Sequence, residues 1–246
     1  MLQIIQPGNY KAGLAYPAGR TAAFNQTHAA SNGIVNGGQG DVIFCPNNGF
    51  ISLVTGKPYA NTNTTASPII SGIGPNLNIQ TSGGRATSTF SSAALTALTV
   101  GVVVQFTSIN VAATYQTLWT SGGSTAAFGL NASHVFNLFY SSDHASNITP
   151  IANTPYFAVA SANQITTSNV NFVVVNLLTG QMFTSTTAAC TNNPLNSGGA
   201  NCGIGTVSAN QAMNGSVSHC FWNPVYMSLQ QLEQLAVDLW SIWYVA

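Results

Sequence analysis

The sequence predicts an all-β fold, a β-sandwich with one short C-terminal helix and an irregular N-terminal arm. From residue 50 onward, short runs rich in β-branched and aromatic residues alternate with turn clusters, the spacing typical of a sandwich. A helical repeat of apolar residues occurs only near the C-terminus. Before residue 49, Gly, Asn, Ala and Pro are scattered without a sustained period. We therefore divide the 246 residues into an arm, residues 1–48, and one sandwich domain, residues 49–246.

The strands are predicted in chain order from composition and from the turns that separate them. They span residues 50–54, 68–73, 77–80, 99–106, 117–120, 126–130, 135–140, 171–176, 181–184 and 213–225. The run at 99–106 is apolar on nearly both faces, which predicts a central strand. Gly180 supplies the positive φ that closes a hairpin between 171–176 and 181–184.

The helix is predicted after residue 227. Ser228 stands three residues before Gln231, the spacing of a capping box in which each side chain bonds the other's backbone N–H. Apolar residues then recur at helical spacing, namely Leu229, Leu232, Leu235, Ala236 and Leu239. This stripe predicts one helix face packed on the sandwich.

Charge is the scarcest property of this chain. Four Lys and Arg against four Asp and Glu make 3% of the residues, where soluble domains average about 25%. Nucleic-acid binders and proteins that adhere to anionic membranes need clustered basic residues, so both classes are excluded. Hydrophobic residues reach 46%, which also argues against disorder.

Processing and redox signals are weak. No run approaches the ~18 apolar residues of a membrane span, and the start, MLQIIQPGNYK, lacks the basic and apolar regions of a secretory signal. The expectation is synthesis and assembly in a cytosol, which the initiating Met favours; the alternative is a leader that has already been removed. Cys190 and Cys202 bracket a Gly/Asn-rich loop and could form one bridge, while the alternative is four thiols. Zinc spacing is absent, which predicts no metal.

Several motifs together resemble a known family. The stretches NGFISLVTGKP at 48–58, GIGPNL at 72–77, LTVGVVVQF at 98–106, FWNP at 221–224 and MSLQQLEQLAVDLWSIW at 227–243 carry the likeness. They resemble concanavalin A-like (laminin G-like) jelly-roll domains of tailed-bacteriophage virion proteins, over residues 48–245. The central strand has Val where such domains usually carry an aromatic, and the final helix has Gln in place of most acidic residues. The resemblance implies a jelly-roll β-sandwich and a virion structural or glycan-binding role.

The sequence predicts no catalytic site and no cofactor. Glycosidases need two carboxylates across the scissile bond, and this chain offers only Asp41, Asp143, Glu233 and Asp238, without a paired signature. A Gly-x-Ser-x-Gly elbow is also missing. The dipeptide Asp143-His144 follows a predicted strand; it is a candidate calcium or general-base site, or a solvated turn.

Two further sets of residues are candidates for binding. Trp119, Tyr140, Tyr156 and Trp222 could stack on sugar rings, the alternative being that they belong to the core or to an interface. Lys11 and Arg20 lie in the arm and are half of the basic residues of the chain. The arm could therefore become ordered when the protein assembles and serve as its anchor.

The sequence therefore favours a bacteriophage virion structural protein that is not an enzyme. The expected form is a capsid decoration or cement subunit, a homo-oligomer bound to the major capsid protein or to tail components. An uncharged polar surface costs less to bury in such contacts than a charged one. The alternative is an adhesin on a tail fibre or spike that binds host polysaccharide through a lectin-like sandwich.

Overall fold

The described residues form two antiparallel sheets and one helix. A computed structural model describes residues 41–44, 51–52, 59–61, 77–79, 85–91, 96–109, 115–121, 126–140, 142–163, 168–190, 201–205, 211, 213–223 and 225–244. The strands are β1 (Asp41–Phe44), β2 (Ile51–Ser52), β3 (Tyr59–Asn61), β4 (Leu77–Ile79), β5 (Arg85–Ser91), β6 (Ala97–Ser108), β7 (Gln116–Thr120), β8 (Ala126–Leu130), β9 (Phe136–Tyr140), β10 (Asp143–Ala145), β11 (Pro155–Asn163), β12 (Ser168–Asn176), β13 (Met182–Ala189), β14 (Asn201–Gly205) and β15 (Asn214–Asn223); the helix is α1 (Leu229–Tyr244).

Each sheet brings together strands that are distant in sequence. The first has the order β13-β12-β11-β6-β15-β1-β2, with β4 pairing β15 beside β1. The second has the order β10-β9-β8-β7-β14-β5-β3. The pairing of β6 with β11 and β15 makes it the centre of the first sheet, as its apolar run predicts.

The main core fills the space between the sheets. Alternate residues of β6 point into it, among them Leu98, Val102 and Phe106, each no more than 1% exposed. Aromatic side chains of the second sheet meet them, and Phe106 and Phe136 stand with ring centroids 6.3 Å apart. Burial of such side chains stabilises a fold by roughly 1.5–3 kcal/mol each.

A second apolar layer lies on the outer face of the first sheet, beneath α1. Leu232, Leu235 and Ala236 pack there against residues of β11 and β12 such as Phe157 and Val173. The predicted capping box is confirmed, since Ser228 N donates to Gln231 Oε1 at 2.8 Å and Gln231 N donates to Ser228 Oγ at 3.3 Å. Among the described residues, no helix is long and apolar enough to cross a membrane.

The all-β class and the late helix agree with the sequence prediction, whereas the start of the sandwich and the strands β3, β5, β10, β11 and β14 differ from it. β1 lies inside the segment predicted as an arm and pairs with β15, so the sandwich begins by Asp41 and not at residue 49. β11, a central strand, was not predicted, because Pro155 and its Ala and Ser residues are poor strand signals. The predicted strand at 68–73 lies outside the described residues.

Candidate functional site

Several titratable side chains lie close together where β10, at the edge of the second sheet, approaches the end of β13, at the edge of the first sheet. β10 is the edge strand of the second sheet and pairs only with β9 among the described strands. Its side chains alternate, so that Asp143 and Ala145 are exposed while His144 points inward. The Asp143-His144 dipeptide is therefore a short strand and not the solvated turn that was one of the predicted alternatives.

His144 connects this edge to the end of β13. The side chain is 5% exposed, and its Nε2 lies 3.1 Å from Ser142 Oγ and 3.5 Å from Cys190 Sγ. Burial lowers the pKa of His144, and hydrogen bonds with the backbone at Ala188 and Tyr140 offset part of that effect. A buried neutral imidazole thus bridges the two sheets.

Cys190 is a thiol with no disulfide partner, so the predicted alternative of a Cys190–Cys202 bridge is not formed. Burial raises the pKa of the Cys190 thiol to about 11. A cysteine acts as a nucleophile through its thiolate, which needs a lowered pKa and access to solvent. The Cys190–His144 pair has neither property, and its geometry fits a structural role.

Asp143 faces the opposite way and is held by two donors. Tyr115 Oη donates to Asp143 Oδ2 at 2.6 Å, and Asn137 Nδ2 donates to Asp143 Oδ1 at 3.2 Å. The hydrogen bond to the carboxylate, with burial and the negative charge, raises the pKa of Tyr115 to about 12. The Asp143 oxygens bond these two side chains and not His144, so the Ser, His and Asp here do not form a hydrolase triad.

The described residues contain no group of three or more His, Cys, Asp or Glu placed to hold a metal ion. The calcium site that was one alternative for Asp143 would need 6–8 oxygen ligands. What the arrangement offers instead is one oriented, exposed carboxylate beside an amide and a phenol. Such a set can bind polar hydroxyl groups.

The four candidate glycan-stacking aromatics are core residues in this structure. Trp119 and Tyr140 are fully buried, Trp222 is 2% exposed and Tyr156 is 3% exposed. Trp119 and Trp222 lie with ring centroids 6.4 Å apart, and Tyr156 packs edge-on against Phe136. A ring that stacks on a sugar must present one face to solvent, which none of these rings does, so the predicted stacking role is wrong for the folded chain.

The remaining predicted residues are not brought to this site. Lys11 and Arg20 lie outside the described residues. Asp41 starts β1 in the first sheet, opposite Trp222, and Glu233 lies on α1. Sequence reasoning missed Tyr115 and Asn137 and considered Cys190 only as a disulfide or thiol, because the contacts of these residues with β10 form only in the folded chain.

Comparison with known proteins gives a fold and no family. No protein-family model matches the chain, and no curated protein matches it. A GH54 α-L-arabinofuranosidase soaked with a cyclic sulfate inhibitor has a TM-score of 0.57 and 12% identity, covering 80% of this chain and 51% of that one. A Trypanosoma rangeli sialidase in complex with 2,3-difluorosialic acid has a TM-score of 0.55 and 12% identity, covering 90% of this chain and 38% of that one.

These likenesses fit an all-β sandwich and carry no function at such identities. An arabinofuranosidase complexed with arabinofuranosyl-α-1,2-xylobiose gives the same result, with a TM-score of 0.52, 13% identity and coverage of 80% of this chain and 45% of that one. The chain spans about half or less of the length of each of these structures.

The buried imidazole predicts a pH-dependent stability. The pKa of His144 lies below its ordinary value of 6.5 in the folded chain, so the unfolded state binds its proton first as the pH falls. The free energy of unfolding should be unaffected by His144 above pH 6.5 and should fall below it. Urea denaturation between about pH 7 and pH 5 measures this dependence.

The matched variant is His144→Gln, which keeps a polar side chain but does not titrate. The difference between the two stability profiles is the contribution of the His144 titration to the free energy of unfolding. The buried Tyr140 and Cys190 beside it titrate far above this range. Parallel profiles for the two proteins would contradict the assignment.

Proposed function

We propose that this protein is a bacteriophage virion structural subunit, a decoration or cement protein of the capsid, with a concanavalin A-like (laminin G-like) jelly-roll sandwich. The observation that carries the proposal is the near absence of charge on a folded sandwich, 3% of all residues. Neutral polar groups can be buried in permanent subunit contacts at low cost if they are hydrogen-bonded.

The site geometry supports a structural role over an enzymatic one. His144 and Cys190 are buried, burial raises the pKa of the Cys190 thiol, and the Asp143 carboxylate accepts hydrogen bonds from Tyr115 and Asn137. The motifs that resemble phage proteins include the 227–243 stretch, in which the capping box forms. A role in the virion agrees with both features.

Mass spectrometry of purified particles tests this proposal. We expect the protein in stoichiometric amounts in intact virions, and its absence from them would refute the proposal. A truncation gives a second test, since the arm is proposed as the anchor that contacts other virion proteins. Removing residues 1–40 should abolish particle association and leave the sandwich folded, because β1 begins at Asp41 and pairs with β15.

The matched control is a longer truncation that ends after Phe44. It removes β1 from the first sheet and should lower the thermal stability, whereas the 1–40 truncation should not. Unchanged binding of the 1–40 truncation to capsids would count against the arm as anchor, and would leave the mass-spectrometric test intact.

A polysaccharide-binding adhesin is the second candidate, and one observation favours it. Asp143 is exposed and fixed in orientation by Tyr115 and Asn137, so it can accept hydrogen bonds from sugar hydroxyls. A glycan array with the wild type and with Asp143→Asn tests it. Binding that the substitution abolishes would support the adhesin, and a flat array for the wild type would remove it.

A further inference from the structure

β13 is an edge strand of the first sheet in the part of the chain that the structure describes. It pairs with β12 on one side, and no described strand pairs with its other side. Its eight residues, MFTSTTAA, contain no charge, no proline and no glycine. Exposed backbone N–H and C=O groups on such an edge are ready to pair with another strand.

Proteins usually protect their edge strands with lysine, proline, bulges or very short strands. β13 has only one of these devices, a register shift opposite Asn169 and Val170 at its C-terminal end. The preceding residues, Met182 to Thr187, pair one-to-one with Val175 to Val170 in an unbroken ladder. This regular six-residue segment is the part of the edge that can accept a partner.

The side chains of the segment suit contact with a neutral strand. Thr184 and Thr186 are exposed, and Ser185 and Thr187 are half-buried. Threonine and serine side chains stabilise cross-strand pairs through their hydroxyls. Beyond Thr187 the edge is occupied, since His144 of β10 hydrogen-bonds the backbone at Ala188.

We propose that β13 pairs antiparallel with β13 of a second copy of this chain, so that the first sheets of two subunits join into one. A two-fold axis perpendicular to the paired strands makes the two copies of β13 run antiparallel, so that residues near the axis face the same or neighbouring residues of the partner. Any charge near the axis would then face the same charge, and this strand carries none. This inference rests on the proposed structural role, which calls for a homo-oligomer. The dimer itself should form in the purified protein, without other virion components.

Light scattering coupled to size exclusion tests the pairing on the full chain. The wild type should be a dimer, or a multiple of dimers, over a wide range of concentrations. Thr184→Lys should raise the dimer dissociation constant at least about tenfold, since it places like charges near the two-fold axis. Thr149→Lys, on an exposed loop after β10, is the matched control and should leave the assembly unchanged.

A charge-complementation arm separates loss of pairing from loss of folding. Thr184→Asp alone should weaken the dimer in the same way. An equimolar mixture of Thr184→Lys with Thr184→Asp should form dimers at concentrations at which either variant alone is monomeric, because opposite charges then face each other. A monomeric wild type, an oligomer that Thr184→Lys does not weaken, or a mixture that stays monomeric would overturn the proposal. None of these results depends on whether the protein is found in virions.

Discussion

Replacing Gly129 by Ala is expected to remove most of the stability of this protein. Gly129 lies in β8 opposite Thr117 of β7, where the two strands approach closely. A Cβ at this position would overlap the carbonyl oxygen of Gln116 and lie 3.1 Å from the Cα of Thr117. Both atoms belong to the backbone of the paired strand, so the clash is relieved only by breaking the β7–β8 ladder. We expect a loss of at least about 4 kcal/mol in the free energy of unfolding, measured by urea denaturation.

Gly101→Ala is the matched control for this prediction. Its Cβ would overlap the ring of Phe221, a side chain that can rotate or shift. Overpacking of this kind costs about 1–3 kcal/mol, and Phe221→Leu should recover part of that loss in the double variant. A Gly129→Ala protein as stable as Gly101→Ala would show that β7 and β8 are farther apart than this structure places them.

The sequence predicted those elements whose signal is local. The apolar run in β6, the positive φ of 72° at Gly180 and the Ser228–Gln231 capping box each depend on residues a few positions apart, and each is present. β8 has the predicted bounds, because the turn-forming residues Gly122 and Gly123 precede it and Asn131 follows it. Such signals place elements along the chain and do not order them in a sheet.

The rest of the fold depends on contacts between residues far apart in sequence. β1 becomes a strand through its pairing with β15, from Asp41 opposite Trp222 to Phe44 opposite His219. β11 becomes central because β6 and β12 flank it, although its own Ala and Ser residues have low strand propensity. No local pattern contains either fact.

The candidate site shows the same limit. The pattern of Asp143, exposed, and His144, buried, follows from strand alternation, but the sequence does not indicate that β10 is a strand. The contact of His144 with Cys190 joins residues 46 positions apart, and that of Tyr115 with Asp143 joins residues 28 positions apart.

Replacing Trp222 by Ala is expected to unfold a large fraction of the molecules near physiological temperature. The side chain is 2% exposed and lies on β15, between Val100 of β6 and Asp41 of β1 in the first sheet. Its ring packs on Trp119 of the second sheet at 6.4 Å between centroids. Truncating a buried Trp to Ala costs about 3–5 kcal/mol, a large share of the ~5–15 kcal/mol of a typical domain.

Trp222→Phe separates packing from hydrogen bonding. In the described part of the chain the indole Nε1 of Trp222 has no hydrogen-bond partner, so phenylalanine removes a buried polar group as well as volume and should lose less stability than Ala. Ile151→Ala, which shortens a side chain that is 66% exposed, should change the unfolding free energy by no more than ~0.5 kcal/mol.

These three variants also decide between a core residue and a glycan-stacking residue at position 222. A stacking Trp at the surface would tolerate Ala with an unchanged melting temperature and a loss of saccharide binding. If Trp222 is a core residue, Trp222→Ala lowers the melting temperature most, Trp222→Phe lowers it less, and Ile151→Ala leaves it close to that of the wild type. The Trp119–Trp222 contact across the sandwich requires the second pattern, and the first would refute the burial of both rings.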